Sequence, residues 1–328
     1  MKTIKWLIFA SILAIGLAIG AIVFYAYQPF SFSKLPYEFS LKQGSSLKSA
    51  ARQMKQAGVL SNDTAFVLLA RLMGKASQIK PGNYQLDKPL TPLQLLDVIS
   101  KGRVEQSEVV IIEGWSFRQL RAALNEKETL RHDTINLSDV EILQRIGATE
   151  SQAEGLFFPD TYNFASGSSD LAVLKRAYQL MQTNLLKSWE SREADLPLAS
   201  PYEALILASI VEKETGQAKD RSMISGVFIN RLRTKMLLQT DPTVIYGLGA
   251  SFDGNLRRRD LLADTPYNTY TRGGLTPTPI SLPGLGAIEA TLHPAKTNAL
   301  YFVAKGDGSS YFSSTLTEHN NAVNRYQK

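Results

Sequence analysis

The chain contains no cysteine. That removes thiolate zinc sites, iron–sulfur clusters, thiol nucleophiles and disulfide scaffolds. It does not fix a compartment, because a chain without thiols tolerates any redox environment. Histidine is scarce too: His132, His293 and His319 are the only three, too far apart for a metal-ligand pattern. His293 and His319 read as side chains bonding local carbonyls, and no metal or cofactor is expected. The GxSxG elbow, the P-loop, the dinucleotide GxGxxG and HExxH are all missing. Strong charge of either sign is also missing. The 36 basic and 30 acidic residues give +6 over 328 positions, too weak a field to argue for nucleic acid. What remains is an ordinary globular composition, 44% hydrophobic, with carboxylates as its most available catalytic groups.

One long uncharged run is present. Trp6 to Tyr27 is 22 residues, enough as a helix to cross a hydrocarbon core of about 30 Å. Lys2 and Lys5 precede it, so the positive-inside rule puts the N-terminus in the cytoplasm and the rest outside. A cleaved signal peptide has a shorter apolar region, about 7–15 residues, ending in small residues. This run ends in Phe24-Tyr25-Ala26-Tyr27, aromatics suited to a membrane interface, and reads as an uncleaved anchor. Beyond it 34 basic residues face 30 acidic ones.

The expected organisation is α+β: a stub and transmembrane anchor at 1–28, a tether at 29–37, a small module at 38–102 and a mixed α+β domain at 103–328. In the module a strand at Phe39–Leu41 precedes a helix with apolar positions Leu47, Ala50, Ala51, Met54 and Ala57. Asn62 caps a second helix, Pro81–Tyr84 turns into a strand, and Thr91-Pro92 opens a third helix. Further on, a strand at Val104–Ile112 leads into Glu113-Gly114-Trp115, and Ser116 caps a helix over Phe117–Leu124. An amphipathic helix covers Leu171–Trp189. Ser200-Pro201-Tyr202-Glu203 has the form of a capping box before a strongly apolar helix, Ala204 to about Thr215, and another helix runs from about Lys219 to Thr234. From Leu237 to Pro294 turn residues are so frequent that long, site-lining loops are expected. Two strands, around Ala299–Ala304 and Tyr311-Phe312, follow.

The helix ending Ile210-Val211-Glu212-Lys213-Glu214-Thr215 is the most informative place. Glu212 and Glu214 point about 200° apart and cannot work as a pair. Glu214 lies over Ile210 and Val211, Glu212 over Ala208 and Ser209, so Glu214 follows the bulky side. Burial there, and the negative end of the helix dipole, raise a carboxyl pKa. A carboxylic acid protonated near neutral pH is what a general acid requires. The competing reading pairs Glu214 with Arg221 or Arg231 as a packing feature. A second cluster, Glu154 to Tyr162, sets Glu154 and Asp160 among aromatics, as sugar sites do; it reads equally as a core turn. Gln239–Pro242 and Tyr267–Tyr270 are loops of the same polar–aromatic type.

Glu113-Gly114, the run Glu154–Tyr162, Ala208–Thr215, Val227–Leu232, Leu238–Gly247, Tyr267–Tyr270 and His293–Thr297 together resemble the endolytic murein transglycosylase (YceG-like) family, in order and over nearly the whole chain. The resemblance implies a single-pass bacterial inner-membrane protein with a periplasmic catalytic domain and a LysM-like module at about 38–102. It implies cleavage of the MurNAc–GlcNAc β-1,4 bond inside peptidoglycan strands, leaving 1,6-anhydroMurNAc ends, and work beside peptidoglycan synthases. The family's catalytic glutamate falls on Glu214. Glu154, Asp160, Gln239, Tyr246 and Tyr270 are, by position, the candidates for holding the sugars. Family members often carry a histidine where Ser309 and Ser310 stand here. Binding without catalysis and hydrolysis by water are the alternative activities. A pyridoxal-phosphate lyase, another label this family has carried, needs a Schiff-base lysine and a phosphate cup, and neither is recognisable.

Overall fold

The structure, a computed structural model, describes residues 2–30, 37–42, 44–86, 88–101 and 106–327. Most of the expected tether, and the first two residues of the strand expected at Val104–Ile112, lie outside them. Contacts divide the chain into one unit of Met1–Glu108, Thr129–Arg131 and Asn163–Ser168, and a second of Val109–Glu128, His132–Tyr162 and Ser169–Lys328.

In the first unit, α1 covers Lys2–Tyr27. Several of its side chains are outside the described residues, and among the described residues no helix is long and apolar enough to cross a membrane. Then come β1 (Tyr37–Leu41), α2 (Leu47–Gln56), α3 (Asp63–Leu72), β2 (Gly82–Leu86) and α4 (Pro92–Lys101). The two strands pair antiparallel with Phe39 opposite Tyr84, and those rings stack at 5.3 Å. Side chains of Ser46 and Asn62 accept from the amides of Ser49 and Ala65 and so start α2 and α3, as N-caps do. Ala50, Ala51, Met54, Phe66, Leu95, Leu96 and Ile99 are fully buried between the helices and the strand pair. The helical period of the sequence thus marks the buried faces correctly.

β3 (Gln106–Val110) pairs with β4 (Thr161–Ala165), and the residues of both strands are divided between the two units. The second unit is mostly helical. α5 (Phe117–Asn125) and α6 (Asp139–Ile146) each start on a complete capping box, Ser116 with Gln119 and Ser138 with Glu141. α7 (Asp170–Glu190), α8 (Pro201–Glu214) and α9 (Ala218–Arg233) follow. Ser200 accepts from the Glu203 amide, while Glu203 reaches back past Ser200 to the amide of Ala199. The segment expected to be long loops instead carries three helices: α10 (Asp241–Leu248), α11 (Arg258–Leu262) and α12 (Leu285–Leu292). Pro and Gly hide α10, whose Pro242 sits in a first turn where it is tolerated; α11 is only five residues long, and α12 carries Gly286 and follows Pro283-Gly284. β5 (Tyr301–Ala304) and β6 (Ser310–Ser313) form an antiparallel hairpin with Phe302 opposite Phe312, and α13 (Leu316–Tyr326) closes the chain.

The core helix is α8. Ala204 through Val211 are eight consecutive buried residues, so this helix is enclosed on all sides, as a helix apolar all round must be. It packs against α7, α9, α10 and α12. Ser209 stitches it to the chain beyond: its hydroxyl accepts from the Ile280 amide at 2.9 Å, and its carbonyl accepts from the Ser281 hydroxyl at 3.0 Å. The last turn of α8 is therefore a rigid platform with loops drawn over it.

Candidate active site

Three consecutive side chains at the end of α8 go to three places, as a rotation of about 100° per residue requires. Glu212 bonds the Gly284 amide at 2.9 Å and lies 3.4 Å from Arg221, which also faces Glu113 at 3.7 Å. Lys213 donates to the Gly114 carbonyl at 3.2 Å. Glu214 accepts a hydrogen bond from the Thr240 hydroxyl.

Glu212 is enclosed as well: its side chain is only 5% exposed. Burial raises its pKa, opposed by the Gly284 amide and Arg221. It is a structural carboxylate, joining α8 to the 283–284 turn and the 113–114 loop. Arg221 is thereby taken, and the pairing of Glu214 with Arg221 does not occur. Arg231 does not pair with it either. Its guanidinium donates to the carbonyls of Leu300 at 2.7 Å and Leu238 at 2.7 Å and lies over the Tyr301 ring.

Glu214 makes no ion pair among the described residues. Its pKa is pushed up to about 7; burial is the main cause, the Thr240 hydrogen bond opposes it, the Asp241 charge adds to it, and the Arg231 charge opposes it. The residue as a whole keeps partial exposure. The carboxyl therefore keeps a proton for a substantial part of the time near neutral pH, and the residue is not wholly closed off.

The partner strip is built on an unusual backbone. Gln239 is held at φ +47°, in the left-handed region, and its amide donates to the Thr269 carbonyl at 3.1 Å. The next amide, of Thr240, donates to the Thr269 hydroxyl at 3.1 Å. Such a conformation in a non-glycine residue persists where the surroundings fix it. Here it turns the Thr240 hydroxyl towards α8. Asn268 is fully buried and supports the other side, its side-chain amide donating to the carbonyls of Asp260, Leu261 and Ala263. Tyr270 donates to Asp241 at 2.5 Å, and burial and that carboxylate raise the phenol's pKa.

A cleft of about 930 Å³ opens beside this strip, lined in part by Gly114, Phe117, Arg118, Glu154, Lys213 and Tyr246. Glu154 accepts from the Phe117 amide at 2.9 Å and from the Tyr246 hydroxyl at 3.1 Å. Burial pushes its pKa up to about 7, against those two hydrogen bonds and one from Gly155. Glu154 is thus, with Glu212 and Glu214, a third carboxyl whose pKa burial raises, at a position the sequence singled out for holding sugar.

Of the sugar-holding candidates, the structure brings Glu154 and Tyr246 together in this cleft. It sets Tyr270 and exposed Gln239 on the strip beside Glu214. Asp160 is elsewhere: exposed, it caps the start of β4 through the Thr161 amide at 2.7 Å and has no link to either group. Thr240 and Asp241 are not among the residues singled out by the sequence, although both lie inside the Gln239–Pro242 loop; a hydroxyl and a carboxylate just before Pro242 are the available signal. Ser309 is buried and bonds Asp307, and the Ser310 amide bonds the Asp220 carboxylate at 2.8 Å. The histidine expectation needs correction at His319: its ring stacks on Tyr301 at 5.2 Å and its Nδ1 has no partner. No cluster able to hold a metal occurs among the described residues.

Comparisons with known proteins agree on one family. The model of the YceG-like family matches residues 39–325. An endolytic murein transglycosylase of Bacillus subtilis is 33% identical over 90% of this chain and 86% of its own length. An endolytic murein transglycosylase of Streptococcus pneumoniae is 26% identical over 98% of this chain, which spans 64% of that longer relative. The crystal structure of a YceG-like protein from Listeria monocytogenes superposes with a TM-score of 0.57 at 29% identity, covering 87% of this chain and 97% of that one.

Proposed function

The chain belongs to the YceG-like family, and on that premise we propose that it is an endolytic peptidoglycan lytic transglycosylase with Glu214 as its general acid and base. The observation that carries the reading is a carboxyl at the end of α8 with a pKa near 7, one hydroxyl donor and no cation bonded to it. A carboxylate clamped by arginine would be ionised and could donate nothing.

Glu214 gives its proton to the glycosidic oxygen of a MurNAc–GlcNAc bond as that bond breaks. Positive charge develops at MurNAc C1. The C6 hydroxyl of the same sugar attacks C1, and the Glu214 carboxylate takes the hydroxyl proton. The acid is regenerated, the ring closes as 1,6-anhydroMurNAc, and no water is consumed. The nucleophile belongs to the substrate, so the second carboxylate of ordinary glycosidases is not required. Thr240 orients the carboxyl, Asp241 helps keep it protonated, and Tyr246, Tyr270 and Gln239 hold the sugars on either side. Asp160, whose carboxylate bonds only the Thr161 amide among the described residues, has no part in this.

The anchor belongs to the same reading. Trp6–Tyr27 crosses the membrane once, with Lys2 and Lys5 in the cytoplasm and the enzyme outside; the uncharged sequence and the helical course of α1 support it. Residues 38–102 form a LysM-like module, supported by the β1-α2-α3-β2 order with its antiparallel strand pair. An enzyme so tethered meets glycan strands as peptidoglycan synthases release them and ends them there. Digestion of purified strands tests this: the full chain releases products ending in anhydroMurNAc, and Glu214→Gln releases none while still binding strands.

A further inference from the structure

The cleft beside Glu214 has a charge pattern that cleavage itself does not use. Five acidic or basic side chains line it: Arg118, Arg121, Lys213, Asp139 and Glu154. Arg121 and Asp139 neutralise each other at 2.8 Å, and Arg121 is further fixed by the carbonyls of Thr134 and Leu137. Glu154, enclosed between an amide and a phenol, spends much of its time uncharged near neutral pH. Arg118 and Lys213 remain. Arg118 is exposed and makes no hydrogen bond or ion pair among the described residues. Lys213 donates only to the Gly114 carbonyl and makes no salt bridge among the described residues; Glu212 next to it feels its charge, and that of Arg221 more strongly. The cleft therefore presents two cations outside any salt bridge among those residues.

Its position matters as much as its charge. Lys213 immediately precedes Glu214 on α8. Pro242, Ile245 and Tyr246 of α10 line the cleft, while Thr240 and Asp241 at the start of that helix face the acid. At about 1.5 Å per residue, Tyr246 lies roughly 7–8 Å along α10 from Asp241. The volume, about 930 Å³, is at the upper end of ligand pockets, which run roughly 300–1,000 Å³. A bare sugar needs no cations. The part of peptidoglycan that carries negative charge next to MurNAc is the stem peptide attached to its lactyl group.

We propose that this cleft receives the acidic stem peptide of the glycan strand, with its carboxylates meeting Arg118 and Lys213. The inference rests on the transglycosylase reading. It makes the enzyme selective for strands that still carry stems, as newly made ones do, over strands from which an amidase has removed them. Two cations with no glycine-rich cradle suit separated carboxylates better than a phosphate.

The test compares the wild-type full chain, Arg118→Glu and Arg118→Lys on uncrosslinked strands with stems and on the same strands stripped of them. A partly exposed ion pair and its reversal are worth roughly a fivefold change. The expected result is that Arg118→Glu lowers kcat/KM roughly fivefold more on stem-bearing than on stripped strands, and that Arg118→Lys restores most of the difference. Equal losses on both substrates, or none on stem-bearing strands, overturn the proposal. Strand binding by Glu214→Gln with and without Arg118→Glu gives the same ratio without any turnover. Failure of the transglycosylase reading appears separately, as absence of anhydro ends from the wild type on either substrate.

Discussion

Replacing Glu214 by Gln should make the protein more stable, increasingly so as pH rises. The folded carboxyl titrates near 7 against an ordinary value of 4.5. A folded-state pKa above the unfolded one means that folding takes up protons between those values. Stability from this group is fully present below about 4.5 and is lost as pH rises through about 7. At 1.36 kcal/mol per pKa unit, the cost of ionising it in place grows by roughly 2–3 kcal/mol between pH 5 and pH 8. Gln has the same shape, keeps an acceptor for Thr240 and never ionises. The assay is urea unfolding of the detergent-solubilised chain at pH 5, 6.5 and 8, followed by fluorescence of Trp115 and Trp189 in the second unit. The difference in unfolding free energy between Glu214→Gln and wild type should increase by roughly 2–3 kcal/mol over that range. Glu154 also titrates near 7, but it is common to both proteins and cancels. Parallel stability curves would refute the claim that burial holds a proton on Glu214.

Other consequences follow from the same contacts. Thr240→Val removes the donor that stabilises the Glu214 carboxylate, so the alkaline limb of the activity–pH profile should move to higher pH; a downward shift contradicts the assigned role. Arg231→Ala strands the buried carbonyls of Leu238 and Leu300, each costing about 1–3 kcal/mol when unsatisfied, and should lower the unfolding free energy by roughly 3 kcal/mol. Gly155 has φ +81°, and a Cβ there would stand 2.4 Å from a Pro279 ring carbon. Gly155→Ala should therefore destabilise by at least about 2 kcal/mol, seen as a lower melting temperature, and should disturb Glu154 next to it.

The sequence was most legible where one local cause sufficed. Capping residues and helical apolar spacing located α2 to α5 and α7 to α9 within a few residues. The resemblance and the neighbours of Glu214 converged on one acid. Legibility failed where the cause was tertiary. The helix neighbours mark Glu214 as the more enclosed carboxyl, and it is; what they do not show is that Gly284 and Arg221, 72 and nine residues away, take up Glu212 as well. β4 escapes the sequence reading, whose turn ends at Tyr162, although Thr161-Tyr162-Asn163-Phe164 alternates polar and apolar; five residues are a weak signal, and pairing with β3 makes them a strand. α10 carries Pro and Gly, and α12 carries Gly286 just after Pro283-Gly284, which argue locally for loops; burial of Val244, Ala287 and Ile288 against the rest of the unit overrides that preference. Asp160 had the right neighbours in sequence and the wrong ones in space.

The central claim is that one carboxyl, Glu214, breaks the bond and the substrate's own hydroxyl closes it. Digestion of stem-bearing strands in heavy-oxygen water, read by mass spectrometry at the reducing ends, tests this most directly. The account predicts new ends that are all 1,6-anhydroMurNAc, free of solvent oxygen, and absent with Glu214→Gln. Reducing MurNAc ends carrying heavy oxygen, or anhydro ends persisting in Glu214→Gln, would contradict it.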